Sequence, residues 1–280
     1  MILVTGATGK IGSHALKLLS EAGVPARAFV RDPSRLFGGP PGVEIVKGDL
    51  DDAASLRAAL TGVDAVLLIT APNAKQELDV VAEAKDLGVK KIVKVSSMGA
   101  DPNSKLTLAR GHFDVEAALK ASGLKWTILR PGMFAQNFLQ FAESIRQQGK
   151  FFASVKQGRI AMIDVRDIAE VAVKALLDAA HDGKTYLLTG PSALSYDEAA
   201  AILSGALDKT VVYVDVPIEK SKKSMLERGM PSWLVGELAL LQENIAKTME
   251  PVITNDVRRV LGRHARKFED FARDYAAAFR

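Results

Sequence analysis

The chain begins Met1-Ile2-Leu3-Val4-Thr5-Gly6-Ala7-Thr8-Gly9-Lys10-Ile11-Gly12, and this stretch restricts the fold more tightly than any other. Ile2, Leu3 and Val4 form a continuous apolar run of β-formers, the pattern of a strand buried on both faces of a parallel sheet. Glycine then recurs at 6, 9 and 12. A side chain at Gly6 would obstruct the tight turn, one at Gly9 would hold the backbone away from a pyrophosphate, and one at Gly12 would separate helix from strand. A helix predicted over Ile11–Glu21 would offer that anion its unpaired N–H groups and positive dipole end. Gly6, Ala7, Thr8, Gly9, Lys10, Ile11 and Gly12 are therefore candidates for binding a dinucleotide, against the alternative of an ordinary strand-to-helix turn. The spacing, Gly-x-x-Gly-x-x-Gly, is one residue longer than the Gly-x-Gly-x-x-Gly of many dehydrogenases.

The downstream chain gives the glycines their setting. Strands are predicted over Ala26–Val30, Val43–Val46, Ala65–Ile69, Lys91–Val95 and Trp126–Leu129, and helices over Asp52–Leu60, Glu77–Leu87 and Leu108–Ala121. Such alternation predicts an α/β fold, a doubly wound parallel Rossmann sheet with right-handed crossovers and ligands at the carboxyl ends of its strands. Beyond Pro131 the rhythm loosens into longer helices with scattered strands over Thr185–Leu188 and Val211–Val216. The expected division is a cofactor-binding Rossmann domain over 1–150 and a smaller, mostly helical C-terminal substrate lobe over 151–280, interleaved with the sheet near 184–190. Ser195-x-x-Glu198 is a capping box, and Phe268, Phe271, Ala272, Tyr275 and Phe279 recur at helical spacing as a core-facing stripe.

Composition removes several function classes. The 280 residues are 48% hydrophobic, enough for a large core. No apolar run approaches a bilayer span, and strand one starts at Met1 with no room for a signal peptide, so a cytoplasmic location without membrane association is expected. Cysteine is absent and histidine occurs four times without ligand spacing, so no metal is expected. The net charge of +4 comes from basic residues interleaved with acidic ones. That is a solvated surface rather than a nucleic-acid site.

Other residues discriminate between dinucleotides. Where an acidic residue would bond the ribose 2′-hydroxyl of NAD, the second strand ends Val30-Arg31-Asp32. Arg31 can fork onto a 2′-phosphate, with Arg35 a second donor, which favours NADP (as NADPH); adjacent Asp32 opposes that reading, and a surface arginine is the alternative. Asp49 and Leu50, beyond strand three, suit the adenine amino group and face, though Asp49 equally suits helix capping.

Gly6-Ala7-Thr8-Gly9-Lys10-Ile11-Gly12, Val30-Arg31-Asp32, Gly48-Asp49-Leu50, Val95-Ser96-Ser97 and the run Ser122-Gly123-Leu124-Lys125-Trp126-Thr127-Ile128-Leu129-Arg130-Pro131-Gly132 together resemble the NmrA-like, atypical short-chain dehydrogenase/reductase family. Asp164-Val165-Arg166-Asp167-Ile168-Ala169 and Leu188-Thr189-Gly190-Pro191 extend the resemblance over most of the chain. It implies NADPH-dependent quinone, azo-dye or triphenylmethane-dye reduction, or redox sensing without turnover. Where typical short-chain dehydrogenases carry Tyr-x-x-x-Lys, the matching positions are Leu108 and His112. Leucine donates no proton; His112 could touch the nicotinamide ribose, act as an acid, or be an inert helix residue. Ser97 stands where the family often places a substrate-facing serine, the alternative being a loop hydroxyl capping backbone N–H groups. Ser96 and Thr70-Ala71-Pro72 join the cofactor set, while Met133, Phe134, Asn137 and Phe138 are expected around the substrate, Phe138 and Phe141 being equally suited to core packing.

Without the tyrosine, electron-poor acceptors fit best, because a quinone delocalises the arriving electron pair whereas a simple ketone yields an alkoxide that needs an acid. The sequence therefore predicts an NADPH-dependent oxidoreductase acting on a small conjugated electron acceptor. A redox-sensing regulatory protein is the rival and an isomerase the weaker third choice. An oligomer is left open.

Overall fold

The computed structural model describes residues 1–36, 39–71 and 73–280. They form two compact units: Met1–Pro131, Val165–Leu188 and Arg259–Gly262 make the first, and Gly132–Asp164, Thr189–Arg258 and Arg263–Arg280 the second. The chain thus leaves the first unit after Pro131 rather than at residue 150, and residues 165–188 return to it.

The first unit is a seven-stranded parallel sheet: β1 (Ile2–Val4), β2 (Ala26–Val30), β3 (Val43–Lys47), β4 (Ala65–Leu68), β5 (Lys91–Val95), β6 (Lys125–Pro131) and β8 (Lys184–Leu188), in the order β3-β2-β1-β4-β5-β6-β8. The order reverses at β1, so the chain's first strand ends at the switch point where open α/β sheets bind ligands. β1, β4 and β5 are buried at every position, β1 and β4 as continuous apolar runs and β5 with two lysines, Lys91 and Lys94, inside it. Helices α1 (Lys10–Glu21) and α6 (Val165–Leu177) pack together; α2 (Ala53–Leu60), α3 (Ala74–Asp86) and α4 (Thr107–Ala121) pack in sequence with one another. α1 buries Ile11, Ala15, Leu16 and Leu19 along one stripe. On the α2–α4 side, Leu3, Leu56, Val66, Val80, Ile92, Leu119 and Ile128 share one core.

The second unit is mostly helical around a two-stranded parallel sheet of β7 (Lys150–Ala153) and β9 (Val212–Asp215). Its helices include α5 (Ala142–Gln148), α7 (Tyr196–Leu207), α8 (Ile218–Glu227), α9 (Ser232–Lys247), α10 (Asp256–Leu261) and α11 (Phe268–Asp274), α10 straddling the unit boundary. α7 starts with the capping box, Ser195 accepting from the Glu198 N–H and Glu198 from the Ser195 N–H. Its core is aromatic: the Phe138 ring meets those of Phe141, Phe151, Tyr196 and Phe268 edge to face at 5.6, 5.5, 5.0 and 4.9 Å.

Candidate active site

The three glycines of the β1–α1 loop answer to different constraints. Gly6 has φ +57°, and a Cβ there would lie 2.7 Å from the Ile69 carbonyl oxygen. A Cβ on Gly12 would sit 2.3 Å from the Gly6 oxygen and 2.9 Å from the Ala7 Cα, so the third glycine lets the helix close on the loop itself rather than on the strand. Both are demanded by the fold. Gly9 is constrained less: its φ is −82°, and a Cβ would meet only the Gly6 oxygen, at 3.1 Å, a tight approach that a shift of a few tenths of an ångström would relieve. Its bare backbone, N-cap of α1 with no side-chain cap, forms a cradle that suits a phosphate. Around it Thr8 is half-buried and Lys10 exposed, whereas the side chains of Ala7 and Ile11 are buried and leave only backbone for a ligand. Thr5 locks the loop's base, its hydroxyl donating to the Ile69 oxygen and accepting from the Ile69 N–H, both at 2.8 Å.

At the end of β2, Asp32 is occupied locally. Its Oδ1 accepts from the Ser34 N–H at 3.0 Å and the Ser34 hydroxyl at 2.7 Å, and these bonds hold its carboxyl below the usual range. Arg31 and Arg35 are exposed, and the Arg31 guanidinium has no ion-pair partner among the described residues. Lys47 ends β3 beside Val30 and is exposed too, a third cation that sequence reasoning missed. Asp49 Oδ1 accepts from the Asp51 N–H at 3.1 Å, while Asp52 caps α2. Leu50 is half-buried against the sheet core.

On the far side of β1 the ends of β4, β5 and β6 carry buried charges that sequence reasoning did not single out as site residues. Lys94 is completely buried, and its ammonium donates to Glu77 Oε2 at 2.6 Å. Glu77 also accepts from the Thr70 hydroxyl at 3.0 Å, and Lys94 Nζ lies 3.4 Å from His112 Nδ1. Burial, then the Lys94 charge, brings the His112 imidazole down to about 4. Burial pushes Glu116 up, yet bonds from Arg130 and Ser96 outweigh it and hold the carboxylate below its usual range. The Arg130 fork is bidentate, at 2.9 and 2.6 Å. Ser96 is buried and its hydroxyl donates to Glu116 at 2.6 Å, which positions that carboxylate. Ser97 accepts from the Gly99 N–H at 3.3 Å, the local capping alternative. Leu108 is half-buried, Ala71 exposed, and Pro72 lies outside the described residues.

The substrate-side candidates fall in the second unit. Met133, Phe134 and Asn137 are half-buried; the Met133 carbonyl accepts from the Ile163 N–H, and the Ala135 N–H donates to the Ile163 oxygen, each at 2.9 Å. Phe138 is a correction. It is 1% exposed inside the aromatic cluster and packs a core instead of lining a pocket, as its helical spacing with Phe134 and Phe141 equally allowed. Among the described residues no cluster of acidic or histidine side chains could hold a metal, and no helix is long and apolar enough to cross a membrane.

Over 283 aligned residues the chain is 39% identical to an NAD(P)H azoreductase of Xenophilus azovorans, covering 100% of this chain and 99% of the other. An Escherichia coli NADPH-dependent quinone oxidoreductase, crystallised with NADPH, superposes with a TM-score of 0.85 at 30% identity over 97% of this chain and 98% of its own. A Citrobacter sp. triphenylmethane reductase complexed with NADP(H) gives 0.86 at 26% identity over 99% of this chain and 100% of its own. The model of the NmrA-like family matches residues 1–272, and the chain belongs to that family.

Proposed function

We propose that this protein is an NADPH-dependent reductase of small conjugated acceptors such as quinones or azo and triphenylmethane dyes. The observation that carries the reading is the division of labour among the glycines, for Gly9 alone has no internal reason of comparable weight to be bare and it caps a helix with no side chain over it. The NADPH and NADP(H) complexes of similar reductases support the same cofactor. With Asp32 turned onto Ser34, Arg31 and Arg35 are the groups to meet a 2′-phosphate, and Lys47 adds positive charge beside them. Asp49 and Leu50 serve the adenine. The residues fit the cofactor.

The chemistry a bound nicotinamide supplies is hydride donation. The chain's own task is to orient both partners and exclude water. Leu108 offers no proton and His112 is neutral at pH 7, so no charged acid stands ready, which selects acceptors able to delocalise the added electron pair. Met133, Phe134 and Asn137 are the residues proposed to contact the acceptor. Calorimetric titration tests the cofactor half: NADPH should bind about tenfold or more tighter than NADH, a difference of ~1.4 kcal/mol. Equal affinities would overturn the assignment of Arg31 and Arg35.

A further inference from the structure

In a sheet whose order reverses at β1, a dinucleotide with its phosphates over the loop after β1 and its adenosine on the β2–β3 side would turn its nicotinamide end toward the ends of β4 and β5. His112 belongs to that end, since it contacts Lys94 of β5 and lies near Glu77, which bonds Thr70 just beyond β4. Its Nδ1 is 3.4 Å from Lys94 Nζ and 3.9 Å from Glu77 Oε2. An ammonium only donates and is the nearer of the two, and it already engages that same carboxylate oxygen at 2.6 Å. These partners assign Nδ1 as the acceptor and the ring proton to Nε2. Nε2 has no partner among the described residues, yet it is not among their buried unpartnered atoms, and the side chain keeps 18% exposure. With Nδ1 turned to Lys94, Nε2 is the ring nitrogen that remains for an external partner.

We propose that Lys94, clamped by Glu77, is a positioning residue that holds His112 as a neutral imidazole and aims its Nε2–H as a fixed hydrogen-bond donor at the oxygen or nitrogen on which an acceptor gathers charge. This rests on the reductase reading above and deepens it. The hydride goes to the acceptor, the hydrogen bond stabilises the resulting anion, and the proton that completes the product comes from water. A donor that stays bound to its proton costs no reorganisation as charge develops. The charges facing the ring are Lys94 from β5, Glu77 from α3 and Glu116 from its own helix α4, the last already neutralised by the Arg130 fork.

The test is nitrogen-15 NMR of the imidazoles in the full chain, with His112→Gln to assign the signal. The unmodified protein should show a neutral Nε2–H ring at pH 7, protonating only near pH 4. In Lys94→Met the bare Glu77 carboxylate should draw the proton to Nδ1 and raise the protonation midpoint by more than one pH unit; Lys94→Arg should restore the original tautomer. Should Lys94→Met fail to fold because Glu77 is left unpaired, Lys94→Met with Glu77→Gln removes both charges together and should still raise the midpoint. A ring that titrates near 6.5, carries its proton on Nδ1, or ignores both variants would overturn the proposal. With an accepted quinone, kcat should lack an inflection between pH 5 and 8 and acquire one in the variant, with the KM for NADPH little changed. A chain that oxidises no NADPH while the NMR result holds would sink the reductase reading and leave the positioning device standing.

Discussion

The two sides of β1 handle charge in opposite ways. At the ends of β2 and β3, Arg31, Arg35 and Lys47 stand exposed, and the neighbouring acid is diverted into a turn by Ser34. At the ends of β4, β5 and β6, Glu77, Lys94 and Glu116 are buried, each with a partner at 2.6 Å. Cations meant for an external anion gain by having no internal carboxylate to compete, since any ion pair must be broken before the ligand can bind. Charges that fix the geometry of their neighbours must be paired, because a buried charge without a partner costs several kcal/mol. The first region should thus govern affinity and the second stability and protonation.

Substitutions on the two sides should therefore read out differently. The largest effect is expected from Glu116→Ala, which strands Arg130 and Ser96: urea unfolding should show a loss of about 3–5 kcal/mol, whereas Arg31→Ala should stay within about 0.5 kcal/mol of the unmodified chain. Next, Gly9→Val should reduce NADPH affinity by at least ~100-fold, about 2.7 kcal/mol, while circular dichroism shows a folded sheet. Normal affinity in that folded variant would remove the pyrophosphate from the loop.

The pH dependence sharpens the contrast on the buried side. His112 protonates near 4 in the folded chain against 6.5 for the free side chain, so between these values the unfolded state binds a proton that the folded state refuses. Stability should fall with decreasing pH across that window, by on the order of 3 kcal/mol from this group, and His112→Ala should flatten that part of the curve. The smallest effect is expected at the exposed side: Arg31→Glu should weaken NADPH roughly ten- to hundredfold, about 1.5–3 kcal/mol, with NADH nearly unaffected, as titration of both cofactors will show.

Legibility in the sequence divides along the same line. The glycine loop and parallel sheet could be read because backbone constraints leave local traces: glycines at fixed spacing, apolar runs, caps. The helix ends moved by only a few residues, as with α3 starting at Ala74 behind the Asn73 cap rather than at Glu77. The buried charges leave weaker traces, for Glu77 and Glu116 read like any acidic helix residue until the fold brings Lys94 and Arg130 to them. Lys94 did carry a signal, a lysine inside the strand run Lys91–Val95, since a charge in a central strand needs a partner. Ser96 reads from its motif as facing the cofactor, and only the position of Glu116 behind it reveals its hydroxyl as already committed. The exit from the sheet lies where β6 ends at Pro131, paired there with Leu188, the point beyond which the strand–helix rhythm loosens, rather than at residue 150.

On the proposed reading, hydride reaches a conjugated acceptor without a charged protein acid. The most direct test is the initial rate of NADPH oxidation, followed at its absorbance band, with a quinone or azo dye and with an unconjugated ketone at matched concentration. Rapid oxidation is expected with the conjugated acceptor and at least ~100-fold slower reaction with the ketone, the lower range of what a general acid contributes. Comparable rates with both, or no oxidation by any conjugated acceptor despite tight NADPH binding, would contradict that reading.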